Sequence, residues 1–418
     1  MKKKILWIMH FVPYPPKGGA FQRSFNLLRK VAETNDVVLV AVRHKTTSHP
    51  EDESRNAKKV FEGFCKEVHI IEPDWSKGGG SLGVQAVAAL FSPHSLTTDL
   101  YDLKEVHQLI NGLLERSKFD IALMDSISVA QYVDRFRNAG VKTILNHHGA
   151  EGCMMMRRVS KEKNYLKKAY YYLEACKLRR DERIYCPQFD LNVAVCDLDI
   201  EIMKKEGVEG EFRVVENGVD IEYFLKQEPK PENRSLIFAG RLDQYSNREG
   251  ILWFCRTVWP ALKEEYKDLT LTIIGNNPPE ELRVLGEKTE GISVAGYVDD
   301  VRTYFSESSV CVVPLRDGGG TRIKILDALS MGMPIVATEV AIEGLEVKPE
   351  QDLLVANDAK EFVRQVGRLL DKEMAEKYSI QGRRLVETIY SWDRIGGKLD
   401  AIMDDSLGSQ GIESRGSA

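Results

Sequence analysis

Short hydrophobic segments alternate with longer helical patterns along the first half of the chain. The short segments are almost continuously apolar, which is typical of strands in a parallel sheet covered by helices on both faces. The predicted strands are Ile5–Met9, Val37–Val42, Val68–Ile71, Ile121–Met124, Thr143–Leu145, Leu191–Val195 and Arg213–Val215. The helices predicted between them include Ala20–Glu33, Leu103–Ser117 and Ser126–Ala139.

The second half of the chain repeats this alternation with a new series of strands. The predicted strands are Ser235–Gly240, Leu269–Ile274, Ile292–Ala295, Val310–Val313, Ile335–Ala337 and Leu353–Val355. Two Rossmann-like, doubly wound α/β domains with parallel sheets are therefore the simplest architecture. Ligands bind at the carboxyl ends of the strands in such sheets, so a cleft faced by both domains is the expected site.

A polar segment with two prolines, Leu225–Arg234, separates the two series of strands. It suits a linker, although a long surface loop would have the same composition. The predicted organisation is an N-terminal domain over residues 1–218, a linker over 219–234 and a second domain over 235–388. A terminal helix over 389–405 is expected to return to the first domain, and residues 406–418 are expected to form a mobile tail.

Composition and charge narrow the possible functions. The chain has 418 residues, 43% of them hydrophobic, which is enough for two or three folded domains. A net charge of -5 and a pI near 6.0 give no overall attraction to nucleic acid. The 7 cysteines are scattered without a C-x-x-C pair, which favours a reduced, cytoplasmic protein and argues against structural zinc. The apolar run after Met1–Lys4 is too short for a signal peptide.

The strongest chemical signal is a glycine-rich loop between a strand and a helix. Val310–Val313 leads into Gly318, Gly319 and Gly320, and the following helix carries Arg322, Lys324 and Asp327 near its start. Glycines let a ligand approach the backbone, and the first N–H groups of a helix attract anions. We interpret the loop as a diphosphate site. An ordinary turn would look similar, and neither the P-loop nor the G-x-G-x-x-G pattern is present.

The first half carries two further candidate segments. Gly18 and Gly19 open the first predicted helix, and Asn146–Glu151 follows the fifth strand with His147 and His148 adjacent. The glycine pair could be a simple helix N-cap. The two histidines are poorly placed to chelate one metal, and no third ligand stands at helical spacing, so a metal is not predicted. A structural role for His148 stays open.

Together these segments resemble the GT-B glycosyltransferases, in particular the retaining, family-4-like group 1 branch that includes bacterial mannosyl- and glucosyltransferases. The resemblance runs from Ile5 to about Trp392. It also rests on Asn217-Gly218-Val219-Asp220 before the linker and on Gly240-Arg241-Leu242. Members move a sugar from a nucleotide-diphosphate sugar with retention at the anomeric carbon, and they use no metal or other cofactor.

The resemblance implies roles on the donor side. Arg241 matches the arginine on the donor diphosphate, but the lysine usually found five positions later is Ser246 here. Arg322 and Lys324 could supply the missing charge. Asp327 stands where a glutamate usually binds the ribose hydroxyls, and Gly319 stands where another usually contacts the sugar. That contact would then shift to backbone N–H groups of the loop or to a nearby carboxylate: Gly319, Gly320, Thr321 or Asp317.

The same resemblance assigns the remaining site residues. Gly18 and Gly19 would face the donor phosphate and the acceptor, and His148 would lie near the reacting sugar. Backbone groups of the loop Gly296–Asp300, with Tyr297 and Val298, would hold the base. Uridine and guanosine donors both occur in the family, so the base stays open.

A basic, aromatic helix gives a weaker signal about the acceptor. Arg157–Arg183 contains ten Lys or Arg residues and four acidic ones, interleaved with tyrosines. Such a helix can lie on an anionic membrane surface, although a solvated helix face would look alike.

We therefore expect a hexosyltransferase that uses a UDP- or GDP-sugar and a glycan or lipid-linked acceptor, in surface polysaccharide or glycoconjugate synthesis. It would be cytoplasmic, and the basic helix leaves open a peripheral position at the inner face of the plasma membrane. Two alternatives share the fold: a sugar-nucleotide epimerase, and a sugar-nucleotide-binding subunit without activity, which Ser246 and Gly319 would suit.

Overall fold

The computed structural model describes residues 2–43, 56–73, 91–162, 164–225, 234–317 and 322–408. The chain divides into two compact units, Met1–Glu216 with Ile395–Ala418, and Asn217–Arg394. Three predicted features fall wholly or partly outside the described residues. They are residues 226–233 of the linker, residues 318–321 of the glycine-rich loop and residues 409–418 of the tail.

The first unit is built on a parallel sheet. Among the described residues it contains β1 (Lys4–Met9), β2 (Asp36–Val42), β3 (Glu67–Ile71), β4 (Ile121–Asp125), β5 (Lys142–Asn146), β6 (Leu191–Ala194) and β7 (Phe212–Val214). Their spatial order is β3-β2-β1-β4-β5-β6-β7. Ile5 of β1 pairs with Val37 on one side and with Ile121 on the other. The inner strands are buried because helices cover both faces, as the continuous apolar segments predicted, whereas the edge strands β3 and β7 are partly exposed.

The first unit's helices lie between and after these strands. They are α1 (Gly19–Thr34), α2 (Ala57–Glu62), α3 (Leu96–Leu100), α4 (Lys104–Arg116), α5 (Val133–Asn138), α6 (Glu151–Lys161), α7 (Tyr165–Tyr185) and α8 (Asp197–Lys205). Short 3-10 turns cover Ile127–Tyr132 and Cys186–Gln188. The helical stretch predicted over Ser126–Ala139 is therefore present, but it is divided into a 3-10 turn and the short helix α5. Ser126 has φ 100°, and its side chain accepts a hydrogen bond from the Ser128 N–H, which tightens the start into a 3-10 turn.

The second unit contains another parallel sheet. Its strands are β8 (Ser235–Ala239), β9 (Thr270–Ile274), β10 (Ile292–Gly296), β11 (Val310–Val313), β12 (Ile335–Ala337) and β13 (Leu354–Val355). The order β10-β9-β8-β11-β12-β13 is the Rossmann order 3-2-1-4-5-6. In this order the chain reverses direction across the sheet between β8 and β11. The carboxyl ends of those two strands are consequently the expected place for a ligand.

The second unit's helices begin with α9 (Tyr245–Trp253), which continues through a π turn at Phe254–Val258 into α10 (Trp259–Glu265). Pro260 lacks the N–H that a regular turn would use there. The others are α11 (Glu280–Lys288), α12 (Val301–Ser306), α13 (Ile323–Ser330), α14 (Glu339–Ile342), α15 (Ala359–Leu369) and α16 (Lys372–Leu385), followed by a π turn at Val386–Tyr390. Phe238, Trp259 and Phe362 lie in the core.

The last helix, α17 (Trp392–Gly408), belongs mostly to the first unit. Lys398 Nζ lies 2.6 Å from Glu216 Oε1. Lys3 Nζ lies 3.1 Å from an Asp400 carboxylate oxygen and 2.6 Å from an Asp404 oxygen. Together with buried Ile395, Leu399 and Met403, these pairs fix the helix against the start of the chain.

Candidate functional site

The carboxyl end of β8 carries a glycine that brings three segments close together. A Cβ atom on Gly240 would lie 3.1 Å from Lys324 Nζ and 3.2 Å from the Asn247 side chain. A Cβ atom on Gly275, after β9, would lie only 1.9 Å from the Gly240 carbonyl oxygen. The Gly275 distance is shorter than real Cβ atoms show, and the Gly240 distances are tighter than most Cβ contacts. The two glycines therefore let Lys324, from the helix after β11, reach the end of β8.

Lys324 occupies a half-buried position in the first turn of α13. Its Nζ donates a 2.6 Å hydrogen bond to Asn247 Oδ1 and lies 4.7 Å from the centre of the Phe238 ring. Burial and, to a smaller extent, the positive charge of Arg322 together lower the pKa of this ammonium to about 7. Arg322 lies at the N-cap position of the same helix. The two cations are thus brought together, and an anion placed beside them would restore the lysine's ordinary charge.

Arg241 follows Gly240 directly and is largely exposed. Its guanidinium forms two hydrogen bonds to Asp243, 3.2 Å from Nε to Oδ1 and 2.7 Å from Nη2 to Oδ2. These bonds raise the arginine's pKa and lower that of the Asp243 carboxyl. A phosphate bound by this guanidinium would have to replace or share Asp243. The sequence prediction did not include that pairing.

Asp327 lies one turn after Lys324 on α13 and is half-buried. Its Oδ1 atom is buried and has no hydrogen-bond partner among the described residues. Burial raises the pKa of this carboxyl to about 8, and the negative charge of Asp220 acts in the same direction. An acceptor atom left buried in this way is available for a ligand hydroxyl. The predicted ribose role of Asp327 stays a prediction.

Two loops of the second unit border shallow depressions. Asp317, at the last described position before the glycines, lines one of them with Trp253 and Tyr245, and the Arg316 guanidinium stacks 5.0 Å from the Trp253 ring centre. Tyr297 and Val298 line the other after β10, and Tyr297 is more than half exposed. The predicted sugar-contacting residues Gly319, Gly320 and Thr321 lie outside the described residues.

In the first unit, Gly18 and Gly19 lie at the start of α1. Gly18 has φ 97°, a left-handed conformation that favours glycine, and α1 has neither a side-chain cap nor an acidic residue in its first turn. Its first N–H groups therefore lack the capping oxygen common at helix starts. The contact of this helix start with an anion stays a prediction.

His148 follows β5 and lies beside the carboxyl ends of β1 and β4, where the chain reverses direction across the first sheet. His148 Nε2 is 2.9 Å from Oδ1 of buried Asp125, the last residue of β4. Burial alone would raise the pKa of Asp125, but the charge of His148 and hydrogen bonds from neighbours including Asn146 lower it. His10, after β1, contacts the Asp125 carbonyl oxygen at 3.2 Å, and burial lowers its pKa to about 4.

The sequence analysis missed Asp125 and Arg23. Arg23 of α1 is buried and donates hydrogen bonds of 2.9 Å to the Glu216 carbonyl oxygen and of 2.8 Å to Asn146 Oδ1. Asn146 in turn donates a 2.6 Å hydrogen bond to Asp125. A carboxylate that ends a buried apolar strand is the signal that would have identified Asp125.

His147 and His148 have different environments. His147 is buried, its Nε2 lies 3.2 Å from Asn192 Oδ1, and burial lowers its pKa to about 4. It is thus a structural histidine of the core. Within the described residues, no group of three His, Cys, Asp or Glu side chains is arranged to hold a metal ion.

The N-terminus of α6 is surrounded by buried acids. Glu182 of α7 accepts a 3.1 Å hydrogen bond from the Gly152 N–H, and burial raises its pKa to about 7. Burial also raises the pKa values of Glu151 and Asp199, which flank the same turn. These carboxyls hold the helix start that immediately follows His148.

The basic region of α6 and α7 is exposed at one end and buried at the other. Tyr165 and Leu166, at the start of α7, are 88% and 84% exposed, whereas Asp181 and Glu182 are buried. Arg158 stacks on the Tyr171 ring at 4.3 Å. Among the described residues, no helix has the length and apolar character needed to cross a bilayer.

Comparison with known proteins gives a family match over part of the chain. Residues 233–372 match the model of the group 1 glycosyl transferases. A protein of Klebsiella pneumoniae, described as an uncharacterised 44.6 kDa protein in the cps region, is 21% identical over 373 residues, 87% of this chain and 90% of its own length.

Two solved structures share the fold over almost the whole chain. Sucrose-phosphate synthase from Thermosynechococcus elongatus has a TM-score of 0.68 at 15% identity, covering 98% of this chain and 100% of the other. Anabaena HepE, solved with UDP, has a TM-score of 0.65 at 12% identity, covering 97% and 100%. The two Rossmann sheets and the matched second unit agree with the resemblance in the sequence: the chain has the GT-B fold and carries a group 1 glycosyl transferase domain over residues 233–372.

Proposed function

We propose that this glycosyltransferase moves a hexose from a UDP- or GDP-sugar, with retention of the anomeric configuration and without a metal. The observation that carries the proposal is the arrangement of Arg241, Gly240 and Lys324 at the carboxyl ends of β8 and β11. Two side-chain cations beside a glycine form a site for a diphosphate. HepE was solved with UDP and with UDP-glucose, which supports a nucleotide-sugar donor here.

The proposed chemistry depends on stabilising the leaving group. The bond from the anomeric carbon to the diphosphate oxygen breaks, and a bond to the acceptor oxygen forms on the same face. The acceptor's proton passes to the leaving phosphate oxygen. Arg241, Lys324 and Arg322 would stabilise the negative charge that develops there, which is the largest catalytic effect such a site can supply. No protein nucleophile is needed for this step.

The remaining predicted residues fit roles around the donor and the acceptor. Asp327 would accept hydrogen bonds from the ribose, and Tyr297 and Val298 would contact the base. In the first unit, His148 with Asp125 would bind a hydroxyl of a reacting sugar, and the uncapped N-terminus at Gly18 and Gly19 would bind a phosphate oxygen.

A transfer assay tests this function. UDP- and GDP-hexoses are incubated with the protein and a set of glycan and lipid-linked acceptors, with EDTA present, and NMR gives the anomeric configuration of the product. We expect product with the donor's configuration and undiminished rate in EDTA. An inverted product would contradict the mechanism.

Two substitutions test the phosphate site itself. Lys324→Ala and Arg241→Ala should each fold and lose turnover about 100-fold. Unchanged turnover in both variants would show that these residues do not bind the donor phosphate.

We propose further that the acceptor belongs to surface polysaccharide synthesis and that the protein works in the cytoplasm, at the inner face of the plasma membrane. The cps-region relative supports the first point, and the 7 free cysteines fit a reducing compartment. The exposed start of α7 offers Tyr165 and Leu166 beside Lys167 and Lys168, a combination that suits an anionic bilayer.

Liposome sedimentation tests the membrane contact. The protein should sediment with vesicles containing anionic lipid at low salt and be released at high salt. A double variant, Tyr165→Ser with Leu166→Ser, should lose this binding. Phe91→Ser is the matched control, because Phe91 is also 88% exposed but lies outside the basic region. Failure of the wild-type protein to bind at low salt would exclude the membrane contact.

A further inference from the structure

Asn247 is a buried polar residue that links the two proposed phosphate-binding segments. It lies in the first turn of α9 and is only 6% exposed. Its Oδ1 accepts the 2.6 Å hydrogen bond from Lys324 Nζ, and its Nδ2 donates hydrogen bonds of 2.9 Å to the Arg241 carbonyl oxygen and of 3.2 Å to Gln244 Oε1. One amide therefore connects the loop that carries Arg241 to the helix that carries Lys324.

The amide fixes the lysine in space but leaves its charge uncompensated. Lys324 Nζ is enclosed by the Asn247 amide, the Phe238 ring and the backbone at Gly240, where no Cβ intervenes. Neither the amide nor the ring carries a formal charge. Within the described part of the chain, the charged and titratable groups that act on Lys324 are Arg322, which opposes the ammonium, and the Cys311 thiol, whose pKa burial raises to about 12. A bound diphosphate would be the lysine's principal anionic partner.

An acid at position 247 would have the opposite effect. A carboxylate of the same shape would pair with Lys324, satisfy its charge and compete with a phosphate. An aliphatic side chain would leave the ammonium without its hydrogen bond and the Arg241 loop without its connection. An asparagine makes the hydrogen bond to Lys324 and the connection to the Arg241 loop, and it adds no negative charge to the site.

We propose that Asn247 is a positioning residue that holds the Lys324 ammonium, unneutralised, at the place where the donor diphosphate binds. The inference rests on the proposed donor site. It assigns Asn247 no direct contact with the reacting atoms, because Asn247 acts through Lys324.

A double-mutant cycle separates this role from a purely structural one. Asn247→Ala should lower kcat/KM for the donor about 10- to 100-fold in the wild-type background, because a hydrogen bond to a charged group is lost. In the Lys324→Ala background, Asn247→Ala should lower kcat/KM only slightly, because the lysine that Asn247 positions is absent. Gln365→Ala is the matched control, because Gln365 on α15 is also a buried amide but hydrogen-bonds to Glu350 and to the Val355 carbonyl oxygen; it should change kcat/KM by no more than about twofold.

The outcomes distinguish a positioning role of Asn247 from a purely structural role and from failure of the donor site. An equal loss from Asn247→Ala in both backgrounds would mean that Asn247 supports the fold only, and would overturn the inference. If Lys324→Ala alone leaves kcat/KM unchanged, the proposed donor site is wrong. Melting temperature is measured for every variant.

If Asn247→Ala does not fold, Asn247→Asp carries the test. It keeps the shape, and its carboxylate should raise the pKa of Lys324, weaken binding of the nucleoside diphosphate at least about 10-fold and move the alkaline loss of kcat/KM to higher pH. An unchanged affinity together with an unchanged pH profile would overturn the inference.

Discussion

At the residue scale, the candidate donor site is less charged than its sequence suggests. Lys324 and Asp327 lie one turn apart on α13, and burial favours the neutral form of each, with a lysine pKa of about 7 and a carboxyl pKa of about 8. Among the residues that the structure describes, neither group has an opposite charge close enough to offset its burial. We infer that much of the electrostatic complementarity of this site would appear only with the ligand.

The lysine predicts a pH dependence of donor use. Below pH 7 the Lys324 ammonium is protonated and can bind the diphosphate, and above pH 7 the free protein progressively loses that charge. We therefore expect kcat/KM for the donor to fall as pH rises through about 7. Initial rates at low donor concentration from pH 5.5 to 9 measure this. The Asp327→Asn variant should show the same decrease of kcat/KM with pH. A kcat/KM of the wild-type protein that stays constant up to pH 9 would contradict the prediction.

Some residue roles were predictable and others were not. The glycine-rich loop with Arg322 and Lys324 is continuous in the chain, so its pattern could be recognised. Asn247 and Asp125 are different, because their importance depends on which strands and helices meet, which no local pattern reveals. The pairing of Arg241 with Asp243, two residues away, was accessible from sequence and was overlooked.

At the element scale, close backbone packing at the end of β9 fixes the position of the Arg241 loop. The Gly275 N–H donates a 2.8 Å hydrogen bond to the Gly296 carbonyl oxygen, and the Gly240 N–H donates one of 3.0 Å to the Ile274 carbonyl oxygen. No side chain fits between these segments.

Gly275→Ala should therefore destabilise the second unit. A Cβ atom 1.9 Å from the Gly240 carbonyl oxygen and 2.8 Å from Leu242 Cγ requires the backbone to move. We expect the free energy of unfolding to fall by about 3 kcal/mol or more. Gly397→Ala, in α17, is the matched control, because nothing lies within 4 Å of its Cβ position. It should stabilise by about 0.5–1 kcal/mol; equal effects of both substitutions in urea unfolding would refute the packing argument.

The buried acid at the start of α6 predicts a pH dependence of stability. The Glu182 pKa is about 7 in the folded protein, well above its ordinary value, so the folded state keeps a proton that the unfolded chain releases. Stability is therefore lost as pH rises from about 4.5 to about 7. Glu182→Gln retains an oxygen for the Gly152 N–H, so the variant should lose less stability as pH rises. Its free energy of unfolding at pH 8 should exceed that of the wild-type protein by about 2–3 kcal/mol.

Thermal unfolding between pH 4.5 and 8 measures that effect. Glu201→Gln on α8 is the control, because Glu201 is exposed. The same pH dependence in wild-type and Glu182→Gln proteins would show that Glu182 is charged throughout.

At the scale of the whole molecule, each unit places its candidate residues at an equivalent point. The chain reverses direction across the sheet between β1 and β4 in the first unit and between β8 and β11 in the second. Asp125, His148 and His10 lie at the first point, and Gly240, Arg241 and Lys324 at the second. The alternation of apolar strands and helices predicted both sheets, because it depends on burial on two faces. It could not predict where the short 3-10 and π turns interrupt the helices, because they depend on single backbone conformations.

The most direct test of the account is isothermal titration of the full chain with UDP and GDP. We expect one of the two nucleoside diphosphates to bind in the absence of metal, with proton uptake near pH 8 because bound phosphate restores the charge of Lys324. Lys324→Met, which keeps most of the aliphatic chain, should weaken that binding at least about 10-fold. Absence of binding for both nucleotides, or equal affinity in Lys324→Met, would contradict the central claim that this lysine holds the donor diphosphate.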